Sequence, residues 1–234
     1  MVSTKLKGRV QLHPNEKQPH EQKTIDLNDF EGLLKKATEL RGHRCSGLTL
    51  GIKMAQLGIK LLNLPEEEKR DNLVVFVEND KCPADGIQVT TGCSAGSRKL
   101  KILYYGKSAA SFVDGRTGKG YRVAEKKDLM VRAVALAVND NIIKENDKVE
   151  PSSKLEKKIL MNAFAKLPPE ELFDYYPVKV NWDDPLLPSK MQPHMRCSRC
   201  GEEIMSGMGA IEGNSVLCKS CLKGSYYQKI GDDS

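Results

Sequence analysis

Seven cysteines stand in this chain of 234 residues, and four of them form two pairs near its end: Cys197-Ser-Arg-Cys200 and, seventeen residues on, Cys218-Lys-Ser-Cys221. Each Cys-x-x-Cys pair makes a tight knuckle that aims two sulfurs at one point, and two such pairs complete a tetrahedral zinc site. Gly201, directly after the first pair, lets the chain turn under the ion with positive φ. The intervening segment carries Gly207, Gly209 and Gly213-Asn214 and is expected to fold as a hairpin; LKGSYYQK after Cys218-Lys-Ser-Cys221 reads as a short helix. Knuckle, hairpin and helix follow one another in treble-clef order. A module this small has too little apolar material to fold unaided, so metal binding must supply its folding free energy.

The other three cysteines are Cys45 in RGHRCSG, Cys82 at the start of CPADGIQ, and Cys93 in TTGCSAGS, with His43 two residues before Cys45. All sit in turns bounded by glycine, proline or serine, positions that leave a sulfur free to face a pocket. His43 and Cys45 can point the same way from an extended or turn segment. With Cys82 and Cys93 they make one nitrogen and three sulfurs, a set that suits zinc or iron, and an incomplete set leaves a position for water or substrate. A helix starting at Cys93 would favour its thiolate. Asp85 and Gln88, one helical turn apart, are candidates to orient those ligands. The plain alternative is three small buried thiols, a satisfied histidine, a helix cap and a solvent-facing amide, and spacing alone does not choose between the two.

Something must position these groups. A helix is expected to open at Asn28, in capping-box spacing with Glu31, and to carry Leu33, Leu34, Ala37 and Leu40 on one face up to Gly42. A second helix is expected over residues 48–63, stopped by Pro65. Residues 73–77 (LVVFV) and 101–105 (KILYY) read as strands, while 84–91 is ambiguous, with Asp85 available as a cap. Residues 111–113 and 121–123 flank DGRTGKG and suggest a hairpin; this is no phosphate loop, because Gly120 follows Lys119 where Ser or Thr is needed. Residues 129–143 read as a helix apolar almost all round and therefore buried. Ser153 and Glu156 open another helix in capping-box spacing, and Pro169 begins a short one over PEELFDYY. The expected organisation is a loose arm over 1–24, an α+β core of mixed helix and sheet over 25–176, a proline-rich linker over 177–195 holding Trp182, and the zinc module over 196–234.

Apolar residues make up 39% and charged residues 29%, which suits a soluble folded chain rather than a disordered one. The formal charge of +6 is spread along the sequence, so it permits acidic partners without demanding nucleic acid. KGSYYQK mixes basic and aromatic residues, and its tyrosines can stack on bases or pack on the zinc knuckle. The opening residues lack an apolar signal region and no stretch suffices to span a bilayer. A cytoplasmic protein is expected, its cysteines serving as ligands or reactive thiols rather than disulfides. His13, His20 and His194 have no evident partner, although His194 lies close to Cys197.

GHRCSGLTLG followed by CPADGIQVTTGCSAGSRKL resembles the FmdE family, which takes its name from a component of molybdenum/tungsten formylmethanofuran dehydrogenase. His43, Cys45, Gly47, Gly51, Cys82, Asp85, Gln88, Thr91, Gly92 and Cys93 carry the resemblance, which spans about residues 28–165. Gly86, Ser94 and Ser97-Arg98-Lys99 depart from its pattern. The resemblance implies an α+β core that forms a homodimer, a cysteine/histidine pocket and no assigned reaction; many members append a zinc finger. CSRCGEEI and LCKSCL also resemble the C4 finger of the DksA/TraR proteins, which act on RNA polymerase, over about 25 residues. The leading expectation is an accessory or redox component of molybdenum/tungsten enzyme metabolism, with structural zinc in the tail, a second zinc or iron in the core, and a protein partner on the zinc module. The competing expectation is a non-enzymatic regulator whose finger binds RNA polymerase, nucleic acid or a protein while the core senses a ligand.

Overall fold

The computed structural model describes residues 26–65, 71–180, 194–205, 208–228 and 230. The expected arm over 1–24 and most of the expected linker, Trp182 included, lie outside the described residues.

Helix α1 (Phe30–Arg41) is capped one residue later than the sequence suggested: Asp29 accepts from the Gly32 N–H at 2.9 Å, and Asn28 donates instead to Asp26. Leu33, Leu34 and Ala37 are buried, Leu40 is exposed, and Gly42 closes the helix at φ +85°. Helix α2 (Ser46–Leu62) is the central beam, with ten buried residues. Its Gly58 lies against a strand: a Cβ there would stand 2.1 Å from the Phe112 ring. That absence lets the fully buried Phe112 sit directly on the helix. Burying such a ring stabilises the fold by about 1.5–3 kcal/mol.

The sheet has five strands in the order β2-β1-β3-β4-β5: β1 (Leu73–Val77), β2 (Leu100–Ile102), β3 (Ala109–Asp114), β4 (Lys119–Glu125) and β5 (Phe173–Lys179). β1 and β2 run parallel and are joined through helix α3 (Cys82–Thr91); the other pairings are antiparallel. LVVFV is apolar throughout because both faces are covered. Leu73, Val75 and Val77 enter the main core, whereas Val74 and Phe76 join Val113 in a separate cluster. The DGRTGKG hairpin forms as expected, between β3 and β4. β2 is shorter than the sequence suggested, and Tyr104 and Tyr105 beyond it are exposed.

Two expectations are corrected. The helix at 129 is α4 (Leu129–Asn139); it buries only Leu129, Ala133 and Ala137 and exposes Val131, so it is a one-sided helix rather than an engulfed one. It packs on α5 (Lys154–Lys166), where Ser153 caps the Glu156 N–H at 3.0 Å as the capping-box spacing implied. The short helix α6 (Pro169–Leu172) then stops, and FDYYPVK becomes β5. Pro177 is tolerated because β5 is an edge strand, and the strand runs into the stretch read as linker. Arg122 on β4 ties the sheet together: it donates to both oxygens of the buried Glu78, at 2.6 and 2.8 Å, and to the Tyr176 hydroxyl on β5 at 3.0 Å.

The tail folds as β6 (Met195–Arg196) paired with β7 (Glu203–Ile204), a hairpin of β8 (Ala210–Glu212) and β9 (Ser215–Leu217), and helix α7 (Lys219–Lys223). Among the described residues no helix is long and apolar enough to cross a membrane.

Candidate metal centres

In the tail, β6 and β7 flank the first knuckle. Gly201 turns beneath it at φ +74°, and Gly213 turns the β8–β9 hairpin at φ +59°. Cys218 caps α7, so the second pair is held on a helix start. The ligand atoms of Cys197, Cys200, Cys218 and Cys221 lie within 4.8 Å of one another, with Cys200 and Cys218 sulfurs 3.9 Å apart. An ion about 2.3 Å from each sulfur at a tetrahedral angle sets sulfurs roughly 3.8 Å apart, so the four fit one zinc. Hydrogen bonds from the Cys200 and Cys218 N–H groups draw the Cys197 thiol down to about 6, the second of them at 3.4 Å. The Cys218 side chain pushes Cys221 up to about 12. The backbone donors thus favour the thiolate form of Cys197, the form that binds a metal. His194 does find a partner, Glu203, at 3.0 Å across the β6–β7 pair. Tyr226 is 98% exposed, its ring edge to face with that of Tyr227, so it does not pack on the knuckle.

The second centre lies where two helices begin. Cys45 is the residue before α2 and Cys82 is the first residue of α3. The helices touch backbone to backbone because glycines let them: a Cβ on Gly51 would lie 2.2 Å from the Pro83 carbonyl oxygen, and one on Gly86 2.4 Å from that of Leu48. Cys45 and Cys82 pack their carbon sides on the cluster of Leu33, Leu34, Leu48 and Ile52. Gly42 reverses the chain after α1 and delivers the exposed His43 to the same spot. His43, Cys45 and Cys82 bring their ligand atoms within 4.8 Å of one another. Burial pushes the Cys45 thiol up, a hydrogen bond from the Leu48 N–H pulls it back, and the adjacent Cys82 adds to the rise. A bound cation would reverse that balance, because thiolate is the ligand form.

The structure keeps Cys93 apart from this trio. Cys93 follows the C-terminus of α3, not a helix start, so about eleven residues of helical rise, roughly 16 Å, separate it from Cys82. It is 2% exposed, donates to the Leu73 carbonyl at 3.5 Å, and burial pushes its thiol up. Asp85 lies in the first turn of α3 without capping it and pairs with Arg41 at 3.4 Å, which fixes the end of α1 just before His43. Gln88 is half-buried one turn further along. Pro83 and Lys81, on either side of Cys82, line a neighbouring cleft of about 440 Å³ with Tyr104 and Ser108.

The family model described as "FmdE, Molybdenum formylmethanofuran dehydrogenase operon" matches residues 40–174, more than half of the chain and both halves of the trio. The chain belongs to the FmdE family. A solved crystal structure, that of a tungsten formylmethanofuran dehydrogenase FmdE-like protein from Syntrophus aciditrophicus, superposes with a TM-score of 0.58 at 25% identity. That likeness covers 85% of this chain and 95% of the other. A protein of Archaeoglobus fulgidus called a probable S-adenosyl-L-methionine-binding protein is 30% identical over 207 residues, 85% of this chain. This chain spans about half (54%) of that relative's length.

Proposed function

We propose that this FmdE-family chain carries a structural zinc in its tail and a second, reactive metal at His43, Cys45 and Cys82, serving an accessory or redox step of molybdenum or tungsten enzyme metabolism. The observation behind this reading is the convergence of one imidazole and two thiols at an accessible junction of two helix starts. The donor set is right for zinc or iron, and three protein ligands leave a coordination position for a small molecule. A metal there supplies Lewis acidity toward whatever takes that position. The chain's own contribution is positional: the α2 and α3 N-termini add positive potential that favours thiolate, and the Asp85–Arg41 pair steadies the His43 turn. Because the Archaeoglobus relative is described as binding S-adenosyl-L-methionine, that molecule is the first ligand to try.

Elemental analysis of anaerobically purified protein tests the reading. We expect two metals per chain in the wild type and one in Cys82→Ser, with the remaining ion lost only when the tail cysteines are replaced. A single ion per chain in both proteins would sink the core centre.

A regulatory reading draws on a different observation. Tyr226 and Tyr227 stand exposed just beyond Lys219 and Lys223, an arrangement able to stack on single-stranded bases. Retention on single-stranded nucleic acid that falls with salt and with Tyr226→Ala would favour it.

A further inference from the structure

A second cleft, distinct from both metal centres, lies along the outer side of α2 against the start of α1 and the start of α6. It has a volume of about 530 Å³, and Leu27, Phe30, Lys53, Gln56, Leu57 and Lys60 are among its lining residues. That volume is in the range of small-molecule sites. Its two lysines differ. Lys60 is neutralised by Glu170 at 2.6 Å. Lys53 is half-buried, its ammonium 5.0 Å from the centre of the Phe30 ring, and among the described residues it has no carboxylate partner. Burial alone lowers its pKa. Gln56 spends its amide N–H₂ on the Leu27 carbonyl at 2.6 Å, which holds the entering chain over the cleft.

A partly desolvated ammonium beside apolar walls is costly without a counter-ion, and a ring face offsets only part of that cost. With Lys60 and Glu170 cancelling, the lining presents one net positive charge next to Leu27, Phe30 and Leu57. We propose that this cleft binds a small organic carboxylate, its anionic end on Lys53 and its apolar portion along Leu27, Phe30 and Leu57. A single carboxylate matches the single uncompensated charge; a multivalent phosphate would exceed it and leave the apolar walls unused.

Hexanoate is the probe, titrated into the full-length isotopically labelled protein and followed through its amide resonances. We expect saturable shifts confined to residues around 27–30 and 53–60. Acetate, which lacks the tail, and hexan-1-ol, which lacks the charge, should each bind about tenfold more weakly. Lys53→Met and Lys53→Gln should lose about tenfold in hexanoate affinity with otherwise unchanged spectra, while Lys53→Arg should keep it. Equal binding by wild type and both neutral variants, shifts that map elsewhere, or no saturable binding would overturn the assignment and leave Lys53 as a structural partner of Phe30.

Discussion

A Cβ on Gly47 would lie 2.9 Å from the Cβ of Cys82. The second thiol of the core trio is thus held where it is by the missing side chain on the helix that carries the first. Gly47→Ala should displace Cys82 together with the start of α3, because a Cβ cannot rotate away from its own backbone, and the expected effect is lost core metal with some loss of stability. Gly51→Ala meets the Pro83 backbone, which cannot rotate away, so it should cost about 1–3 kcal/mol as well. Urea midpoints and metal content on the same samples separate the two. Full core metal in Gly47→Ala would show that the close approach does not position the ligand.

Cys93 makes the complementary prediction. Its thiol lies in the main apolar cluster, donating to the Leu73 carbonyl with the Thr91 hydroxyl beside it. Alkylation of the native, metal-stripped protein should modify Cys45 and Cys82 well before Cys93. Cys93→Ala should keep the core ion and lose about 1 kcal/mol of stability. Loss of that ion in Cys93→Ala would return Cys93 to the ligand set.

Much of this was legible in the residues, and the failures share a cause. The tail site could be read because zinc-knuckle spacing is local: Cys197, Cys200, Cys218 and Cys221 need only two tight turns. The mixed helix and sheet were readable for the same reason, since caps such as Ser153 and stops such as Gly42 act within four residues. Cys93 was misplaced because its neighbourhood depends on which end of α3 it follows, and residues 84–91 gave no clear period. β5 was missed because PEEL begins a helix that one turn later becomes a strand, a switch decided by pairing with the distant β4. Gly51 and Gly86 stood in the sequence, but only the crossing of two helices reveals what their missing Cβ atoms permit.

Asp114 at the end of β3 gives a pH-dependent prediction. Arg116 donates to both of its oxygens, each from 3.0 Å, and holds its carboxyl below the usual carboxylate value of 3.8. A carboxylate depressed in the folded state contributes stability that is complete above the unfolded value and disappears as pH falls through the folded one. Asp114→Asn should therefore be less stable than wild type at neutral pH, with the gap closing below about pH 4. Because Arg116 is about half exposed, the effect at neutral pH should stay near or below about 1 kcal/mol. Denaturant midpoints across roughly pH 2–7 check it; a gap that widens on acidification would contradict the assigned cause.

Removing metal should divide the molecule. Among the described residues the tail buries only Cys197, Ile204 and Leu217 as its apolar centre, with Val216 partly covering them, and its strands are two or three residues long. Such a cluster cannot offset the conformational entropy of ordering about thirty residues, which costs on the order of 1 kcal/mol or more for each. The core needs no such help: Phe112, Phe173, Leu57 and Met54 are all essentially sealed in the cluster that joins α2 to the sheet. A strong chelator should abolish hydrogen-exchange protection in β6 to α7 while leaving β1, β3 and β4 protected. Readdition of zinc should restore the tail. If the tail instead keeps its protection without metal, packing rather than coordination holds it. If β1 loses protection together with the tail, the core ion is structural and Cys82 serves the fold rather than a ligand.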